Sequence, residues 1–173
     1  MPAPGTSALV VELPAAAGLL DAAAAIDPAL VRAGLPPHVT ALYPFLPAAE
    51  LTDEVDAAVT ALAAAHEVVD VPLADLVVAP GFVAAAAPAL QALADAAGDR
   101  WPGVQPYGGR FGPHPPAHLT IAMGGTDEQN TEVARRVEGL LPLTARAEAL
   151  HLVVLTERGW QLRLTAALAT PAR

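Results

Sequence analysis

The sequence contains neither lysine nor cysteine in its 173 residues. Without lysine, the chain has no P-loop phosphate ligand, no Schiff-base amine and no side chain that an ATP-dependent ligase could adenylate. Without cysteine, it has no thiol nucleophile, no disulfide and no cysteine metal site. The chemistry that remains available is that of histidine, hydroxyl and carboxylate side chains.

Aromatic residues and positive charge are also scarce. Aromatic residues make up 4% of the chain, and its formal net charge is −9. Because long nucleic acids are bound through several basic contacts to phosphates, this charge disfavours long RNA or DNA as a partner. A small nucleotide or a short RNA end needs only one or two arginines near a cleft, so such a ligand remains compatible with the composition.

No apolar run is long enough to cross a membrane. The longest uncharged apolar run, residues 76–90, is shorter than the roughly 20 residues that a transmembrane helix requires, and it contains two prolines. The N-terminal sequence MPAPGTSALVVEL lacks the basic residues of a signal peptide and predicts a first strand. We therefore expect one domain over residues 1–173, cytoplasmic, monomeric and without membrane contact.

Apolar periodicity and turn signals predict alternating strands and helices. The predicted strands cover 7–13, 66–79 with a break near Pro72, and 82–87, and a hairpin covers 150–168. Helices are predicted at 15–26, 53–65, 88–97 and 126–141. Residues 98–117 are dense in glycine and proline, which predicts a long loop. The order helix, strand, helix occurs twice, and this indicates a duplicated α/β unit.

Two strands of this duplicated pattern carry the same short motif. Residues 37–45 read PHVTALYPF and residues 116–124 read PAHLTIAMG. Because side chains alternate along a strand, His38 and Thr40 should point the same way about 6.6 Å apart, as should His118 and Thr120. Both motifs follow a proline-bearing turn. Two such strands facing one another would frame a small polar cleft.

These motifs resemble the signature of the two-histidine (2H) phosphoesterases, which is His-apolar-Thr/Ser-apolar, twice. The flanking sequences LPPHVTALYPFLP and WPGVQPYGGRFG are similar to the 2′-5′ RNA ligase-like proteins of that superfamily. The resemblance implies an α+β fold with duplicated α/β units and antiparallel sheets facing a central cleft. The pseudo-symmetric lobes would be built around motif strands 37–46 and 117–124.

The resemblance also implies a metal-independent phosphodiesterase without a cofactor. It would hydrolyse a cyclic phosphate or a 2′-5′ phosphodiester, and RNA ligation would be the reverse reaction. His38 and His118 would be the acid/base pair, and Thr40 and Thr120 would bind phosphate. Imidazole suits both roles because its unperturbed pKa of about 6.5 lies near neutrality. Pseudo-symmetry leaves open which histidine is the base.

Three further residues are candidates for substrate binding. Tyr107 and Arg110 lie in the predicted loop, where tyrosine can stack on a base and arginine can bridge phosphate oxygens. Tyr43 is predicted to face away from His38, so core packing competes with substrate contact there. The predicted strand after Gly81 departs from the aromatic or polar side chains common in relatives, because Phe82-Val83 is followed by four alanines.

Other interpretations of the histidines remain open. The motif histidines could be satisfied core residues, or the scaffold could be a non-catalytic nucleotide-binding module. His114 and His118 have the spacing of two metal ligands on a helix, but Pro115-Pro116 between them precludes that helix. His66 and His151 lack a threonine two residues on, and we interpret both as structural.

Overall fold

The computed structural model describes residues 2–171, which form nine strands and four α-helices. The strands are β1 (Ser7–Glu12), β2 (His38–Leu42), β3 (Val69–Leu73), β4 (Leu76–Ala79), β5 (Phe82–Ala86), β6 (His118–Met123), β7 (Leu143–Ala147), β8 (Ala149–Thr156) and β9 (Gly159–Ala167). The helices are α1 (Ala17–Ala24), α2 (Asp53–Ala64), α3 (Gln91–Arg100) and α4 (Asp127–Glu138). Within this part of the chain, no helix has the length and apolar character needed to span a bilayer.

Seven strands form one antiparallel sheet in the order β4-β5-β6-β2-β1-β8-β9, and β3 pairs with β7 in a small second sheet. The motif strands β2 and β6 lie side by side at its centre, joined by the single pair Val39 and Leu119. The predicted order of helix, motif strand and helix is present twice, as α1-β2-α2 and α3-β6-α4. The α+β class with antiparallel sheets is thus confirmed, whereas the two pseudo-symmetric lobes stay a prediction.

The main core lies between one face of the large sheet and the helices. Alternate strand residues such as Leu9, Val39 and Leu119 pack there against helix residues such as Leu19 and Val59. Burying a leucine or valine side chain stabilises the fold by roughly 1.5–3 kcal/mol. The opposite face of the sheet has only a small apolar cluster, so it is the face left available for a ligand.

Of the four described helices, α2 and α4 begin with a side-chain cap. The side chain of Thr52 accepts a hydrogen bond from the backbone N–H of Val55 at the start of α2. Thr126 and Gln129 bond each other's backbone N–H groups at the start of α4, which is a capping box. Each such cap contributes about 1 kcal/mol to helix stability.

Two details of the predicted strands need correction. The break in 66–79 falls at residues 74–75, between β3 and β4, and Pro72 lies inside β3 opposite Thr144. A proline is tolerated there because β3 is an edge strand, with a partner on one side only. Strand β7 was not predicted; its Leu143, Ala145 and Ala147 alternate with polar residues.

Strand β2 contains a bulge directly after its threonine. Thr40 pairs with Val10, but the next pair is Leu42 with Leu9, so Ala41 is an extra residue on β2. A bulge of this kind resets the alternation of side chains between the two faces. Tyr43 consequently packs with Val10 on the face of Thr40. The prediction that Tyr43 faces away from His38 was wrong, because strict alternation was assumed through the bulge.

Strand β6 repeats this irregularity at the equivalent position. Thr120 pairs with Ala84 and Ala122 pairs with Val83, so Ile121 is the extra residue. Both Ile121 and Ala122 are buried in the main core, and the following Met123 is partly exposed. The two motif strands therefore share a histidine, a threonine and then a bulge.

Candidate active site

The four motif side chains lie on one face of the sheet, across the junction of β2 and β6. Continuing the antiparallel register by one residue on each side of Val39 and Leu119 sets His38 opposite Thr120, and Thr40 opposite His118. Opposite residues in antiparallel strands share a face. The two histidines are then diagonal neighbours, with Cα atoms about 7–8 Å apart. The predicted residues are thus brought together, each histidine beside the other motif's threonine.

Both imidazoles are oriented by the same backbone contact. His38 Nδ1 lies 2.8 Å from the carbonyl oxygen of Pro36, and His118 Nδ1 lies 2.8 Å from that of Pro116. A carbonyl oxygen only accepts hydrogen bonds, so Nδ1 carries the hydrogen in each ring. Nε2 is therefore the nitrogen that gains or loses a proton in both rings.

The surroundings of the two histidines differ in charge. Glu12 of β1 lies directly opposite His38, whereas Ala86 of β5 lies opposite His118. Burial lowers the pKa of His38 below its usual value of 6.5, and the charge of His118 lowers it further. The hydrogen bond to Pro36 and the negative charge of Glu12 act in the opposite direction without cancelling the effect of burial. Burial therefore lowers the pKa of His38 and favours its neutral form.

Tyr107 from the predicted loop lies against Thr40. Its backbone N–H donates to the carbonyl oxygen of Tyr43 over 2.7 Å, and its φ of 51° is in the left-handed region that few non-glycine residues occupy. Burial raises the pKa of the Tyr107 phenol, and a hydrogen bond with Thr40 opposes this rise. The loop thus places a phenol beside a predicted phosphate ligand.

Aromatic side chains line both sides of the motif strands. The ring centroid of Tyr43 lies 6.0 Å from that of Tyr107 and 6.4 Å from that of Trp160. Phe111 extends this group, with its centroid 5.6 Å from that of Tyr107. On the other side, Phe82 contacts His118 edge-to-face at 5.4 Å. Most of the chain's few aromatic rings are therefore close to the two motifs.

Arg110 lies at the outer end of this aromatic group. Its guanidinium carbon is 5.5 Å from the centroid of the Phe111 ring, and its side chain is exposed. Within residues 2–171, it forms no ion pair with a carboxylate. Its charge is thus available to an incoming anion, although no contact joins it to the motif residues.

The other histidines make different contacts. His114 Nδ1 lies 3.3 Å from Asp95, and His66 Nδ1 lies 2.9 Å from the carbonyl oxygen of Leu62. His151 Nδ1 lies 3.2 Å from the hydroxyl of Thr165. Its threonine partner is therefore on the neighbouring strand and not on the same strand. Among the described residues, no group of three or more histidine, aspartate or glutamate side chains is arranged to hold a metal ion.

Sequence reasoning missed two residues beside the motifs, Glu12 and Trp160. Glu12 is the one charged residue of β1, and its alternation with buried Val11 shows that it faces away from the core. Its position opposite His38 depends on the pairing of β1 with β2, which the sequence did not reveal. Trp160 follows the hairpin turn, and its contact with Tyr43 depends on the order of the strands in the sheet.

Comparison with known structures supports the fold. The chain is similar to TT0787 of Thermus thermophilus, with a TM-score of 0.67, 17% identity, and coverage of 96% of this chain and 100% of that one. It is also similar to E. coli LigT in its apo form, with a TM-score of 0.59, 16% identity, and coverage of 98% and 100%. LigT has also been solved in complex with NADP+ and with 3′-AMP. At these identities, the likeness shows the fold alone.

The family is established by a family model, although a search of curated protein sequences finds no match. The family model of the 2′-5′ RNA ligase superfamily matches residues 12–159, which is most of the chain and includes both motifs. This chain therefore belongs to the 2′-5′ RNA ligase superfamily, the group of two-histidine phosphoesterases that its motifs resemble.

Proposed function

We propose that the protein is a metal-independent phosphodiesterase that hydrolyses a cyclic phosphate or a 2′-5′ phosphodiester in a small nucleotide or a short RNA end. The observation that carries the proposal is the convergence of two histidine-threonine pairs on adjacent central strands, with Nδ1 of both rings bonded to a backbone carbonyl. This arrangement leaves two Nε2 atoms for proton transfer at one phosphate.

The reaction needs one base and one acid. The base removes a proton from water, whose oxygen attacks phosphorus and forms a new P–O bond. The P–O bond to the leaving ribose oxygen breaks, and the acid gives its proton to that oxygen. The product is a phosphate monoester. Threonine hydroxyls beside the two imidazoles would donate hydrogen bonds to the non-bridging oxygens as charge develops on them.

His38 is the better candidate for the base and His118 for the acid. A base must be unprotonated at working pH, and burial lowers the pKa of His38. Once His38 has taken a proton, the carboxylate of Glu12 on the neighbouring strand stabilises the imidazolium. His118 faces Ala86 at the equivalent position, so no carboxylate accompanies it there. This difference in neighbouring charge distinguishes the base from the acid, which the two motifs alone do not.

The pairing of the arginines and the aromatic side chains beside the motifs both favour a small nucleotide as the ligand. Of the eight arginines within residues 2–171, four form ion pairs with carboxylates of the chain itself, namely Arg135, Arg136, Arg146 and Arg163. Few cations then remain for a long phosphate backbone. Tyr43 and Tyr107 offer a surface on which one base can stack, and Arg110 can contact a further phosphate. The NADP+ and 3′-AMP complexes of LigT are consistent with a small nucleotide.

A substrate screen tests the proposal. The purified protein should be assayed in the presence of EDTA against 2′,3′-cyclic, 3′,5′-cyclic and 2′-5′-linked nucleotides. We expect turnover of at least one of them, unchanged by the chelator. Nucleotide binding without turnover of any substrate would instead favour the non-catalytic binding module, and turnover abolished by EDTA would favour a metal-assisted hydrolase.

The pH dependence of kcat/KM tests the assignment of the base. Because His38 acts unprotonated and its pKa lies below 6.5, we expect activity to be retained at pH 6.5 and to fall as the pH drops through that lowered pKa. Glu12→Gln removes a charge that raises this pKa, so the acid limb of the profile should move to lower pH. The measurement is the pH profile of both proteins at constant ionic strength.

The matched control for Glu12→Gln is Glu138→Gln, which removes the same charge from the exposed end of α4. Its acid limb should coincide with that of the wild type. An acid limb that stays in place in Glu12→Gln, or moves to higher pH, would contradict the assignment of His38 as the base.

Tyr107 should contribute more to substrate binding than to the chemical step. Stacking of one base on an aromatic ring is worth about 1–3 kcal/mol, so Tyr107→Ala should raise KM about 5- to 150-fold. Tyr107→Phe keeps the ring and removes only the phenol hydroxyl, so its KM should stay within about threefold of the wild type. Steady-state kinetics of the two variants separate these effects; equal KM values would argue against stacking on this ring.

A further inference from the structure

The side chain of Gln91, the first residue of α3, joins the helix to the segment that precedes His118. We propose that Gln91 is a positioning residue that orients the His118 imidazole by fixing the backbone on both sides of Pro116. The inference rests on the proposed function only in taking His118 to be catalytic.

The hydrogen bonds of the Gln91 side chain reach the backbone on both sides of Pro116. Its Oε1 accepts a hydrogen bond from the backbone N–H of Ala117 over 2.7 Å, and its Nε2 donates to the carbonyl oxygen of Pro115 over 3.2 Å. Between these two points lies Pro116, whose carbonyl oxygen accepts the hydrogen bond from His118 Nδ1. The Pro116 carbonyl and the Ala117 N–H belong to one peptide unit, so the Gln91 amide restrains the carbonyl that orients the His118 ring.

Besides Gln91, the segment is held by a backbone hydrogen bond from the N–H of Ala87 to the carbonyl oxygen of Ala117 over 2.9 Å. Pro115 and Pro116 have no N–H group, so neither can donate a backbone hydrogen bond. Ala117 is 6% exposed, and its N–H would be buried without a partner if Gln91 were absent. An unsatisfied donor of this kind costs roughly 1–3 kcal/mol, which favours movement of the segment toward another acceptor or toward water.

The first motif does not need such a side chain. The residue before His38 is Pro37, which has no N–H to satisfy, and its carbonyl oxygen accepts from the backbone N–H of Leu13 over 2.7 Å. The carbonyl oxygen of Ala117 accepts the equivalent bond from the backbone N–H of Ala87 over 2.9 Å, so the two motifs differ in the N–H group of the residue before the histidine. The two imidazoles make the same contact, but only the one of His118 depends on a side chain from a helix.

Asp95 fixes which way the Gln91 amide faces. Its carboxylate lies 2.8 Å from Gln91 Nε2 and 3.3 Å from His114 Nδ1. A carboxylate accepts hydrogen bonds and does not donate them, so it holds the NH₂ end of the amide and leaves Oε1 for Ala117. Hydrogen bonds thus connect Asp95, through Gln91, to the backbone before His118, and His114 contacts the Asp95 end.

The test is Gln91→Met, which keeps the length of the side chain and removes its hydrogen bonds. The direct readout is the imidazole tautomer, measured by ¹⁵N NMR on the full chain. We expect His118 to lose its single Nδ1–H tautomer and to populate both, while His38 in the same sample keeps it. We also expect kcat to fall about 10- to 100-fold, with KM changed less than about threefold, because a small misplacement of the acid acts on the chemical step.

Two further variants keep the test decisive. Gln161→Met changes an exposed glutamine of β9 and should match the wild type in both readouts. Should Gln91→Met fail to fold, Asp95→Ala frees the Gln91 amide to rotate, and a smaller change of the same kind is expected. An unchanged His118 tautomer in the folded variant would overturn the inference. Because the tautomer is observed without substrate, this result is independent of whether the proposed hydrolysis is found.

Discussion

His38→Gln and His118→Gln should each lower kcat by about 10²–10⁴-fold on whichever substrate the protein turns over. General acid or base catalysis contributes a factor of this size, and glutamine keeps polarity and approximate volume without exchanging a proton near neutrality. Nucleotide affinity, measured by calorimetry, should change little. The pH profile adds a sharper expectation, because loss of His38 should remove the acid limb that its titration produces.

Two other histidines provide matched controls. His66→Gln removes an imidazole with a similar contact from Nδ1 to a backbone carbonyl, and His151→Gln removes one on the same sheet face as Thr40, two strands away. Both variants should retain kcat within about threefold, as expected for substitutions without a part in proton transfer. A motif variant that retains full turnover would exclude two-histidine catalysis, whatever the family of the chain.

Thr40→Val and Thr120→Val should each lower kcat by about 10²–10³-fold. Valine keeps the β-branched shape that suits a strand, so the variants lose a hydroxyl with little change in packing. Removing one hydrogen-bond donor to charge that develops in a transition state typically has an effect of this size. The measurement is single-turnover kinetics, which separates the chemical step from product release.

Thr165→Val is the corresponding control, since Thr165 lies on the neighbouring strand beside His151 and outside the two motifs. It should leave kcat unchanged. If the motif valine variants raised KM and kept kcat, the hydroxyls would bind the ground state and the transition state equally, and their proposed catalytic role would be wrong.

The local chemistry of the sequence predicted most of the elements. Asp27, Thr52 and Thr126 cap helical segments, and Gly159 begins the second strand of the predicted hairpin. These signals act over three or four residues, so they can be read without knowledge of the tertiary structure. The two motifs were recognisable for the same reason, because each fits within one strand.

Features that depend on pairing between distant strands were not predictable in this way. The bulges after Thr40 and Thr120 exist only relative to β1 and β5, and one of them reverses the face of Tyr43. Glu12 lies beside His38 because β1 is the neighbour of β2. The position of Glu12 at a strand end and the alternating pattern of β7 are compatible with several strand orders. The order is determined only when the sheet is assembled.

The single backbone pair between β2 and β6 has a consequence for how a ligand and the protein depend on each other. Strands β1 and β5 are each paired with their motif strand at four or more positions, whereas the motif strands meet at one. A phosphate ester bound between the two imidazoles would cross-link these sparsely connected halves of the sheet. A product that binds tightly would then also hold β2 and β6 together. Its release would be coupled to loosening of these two strands.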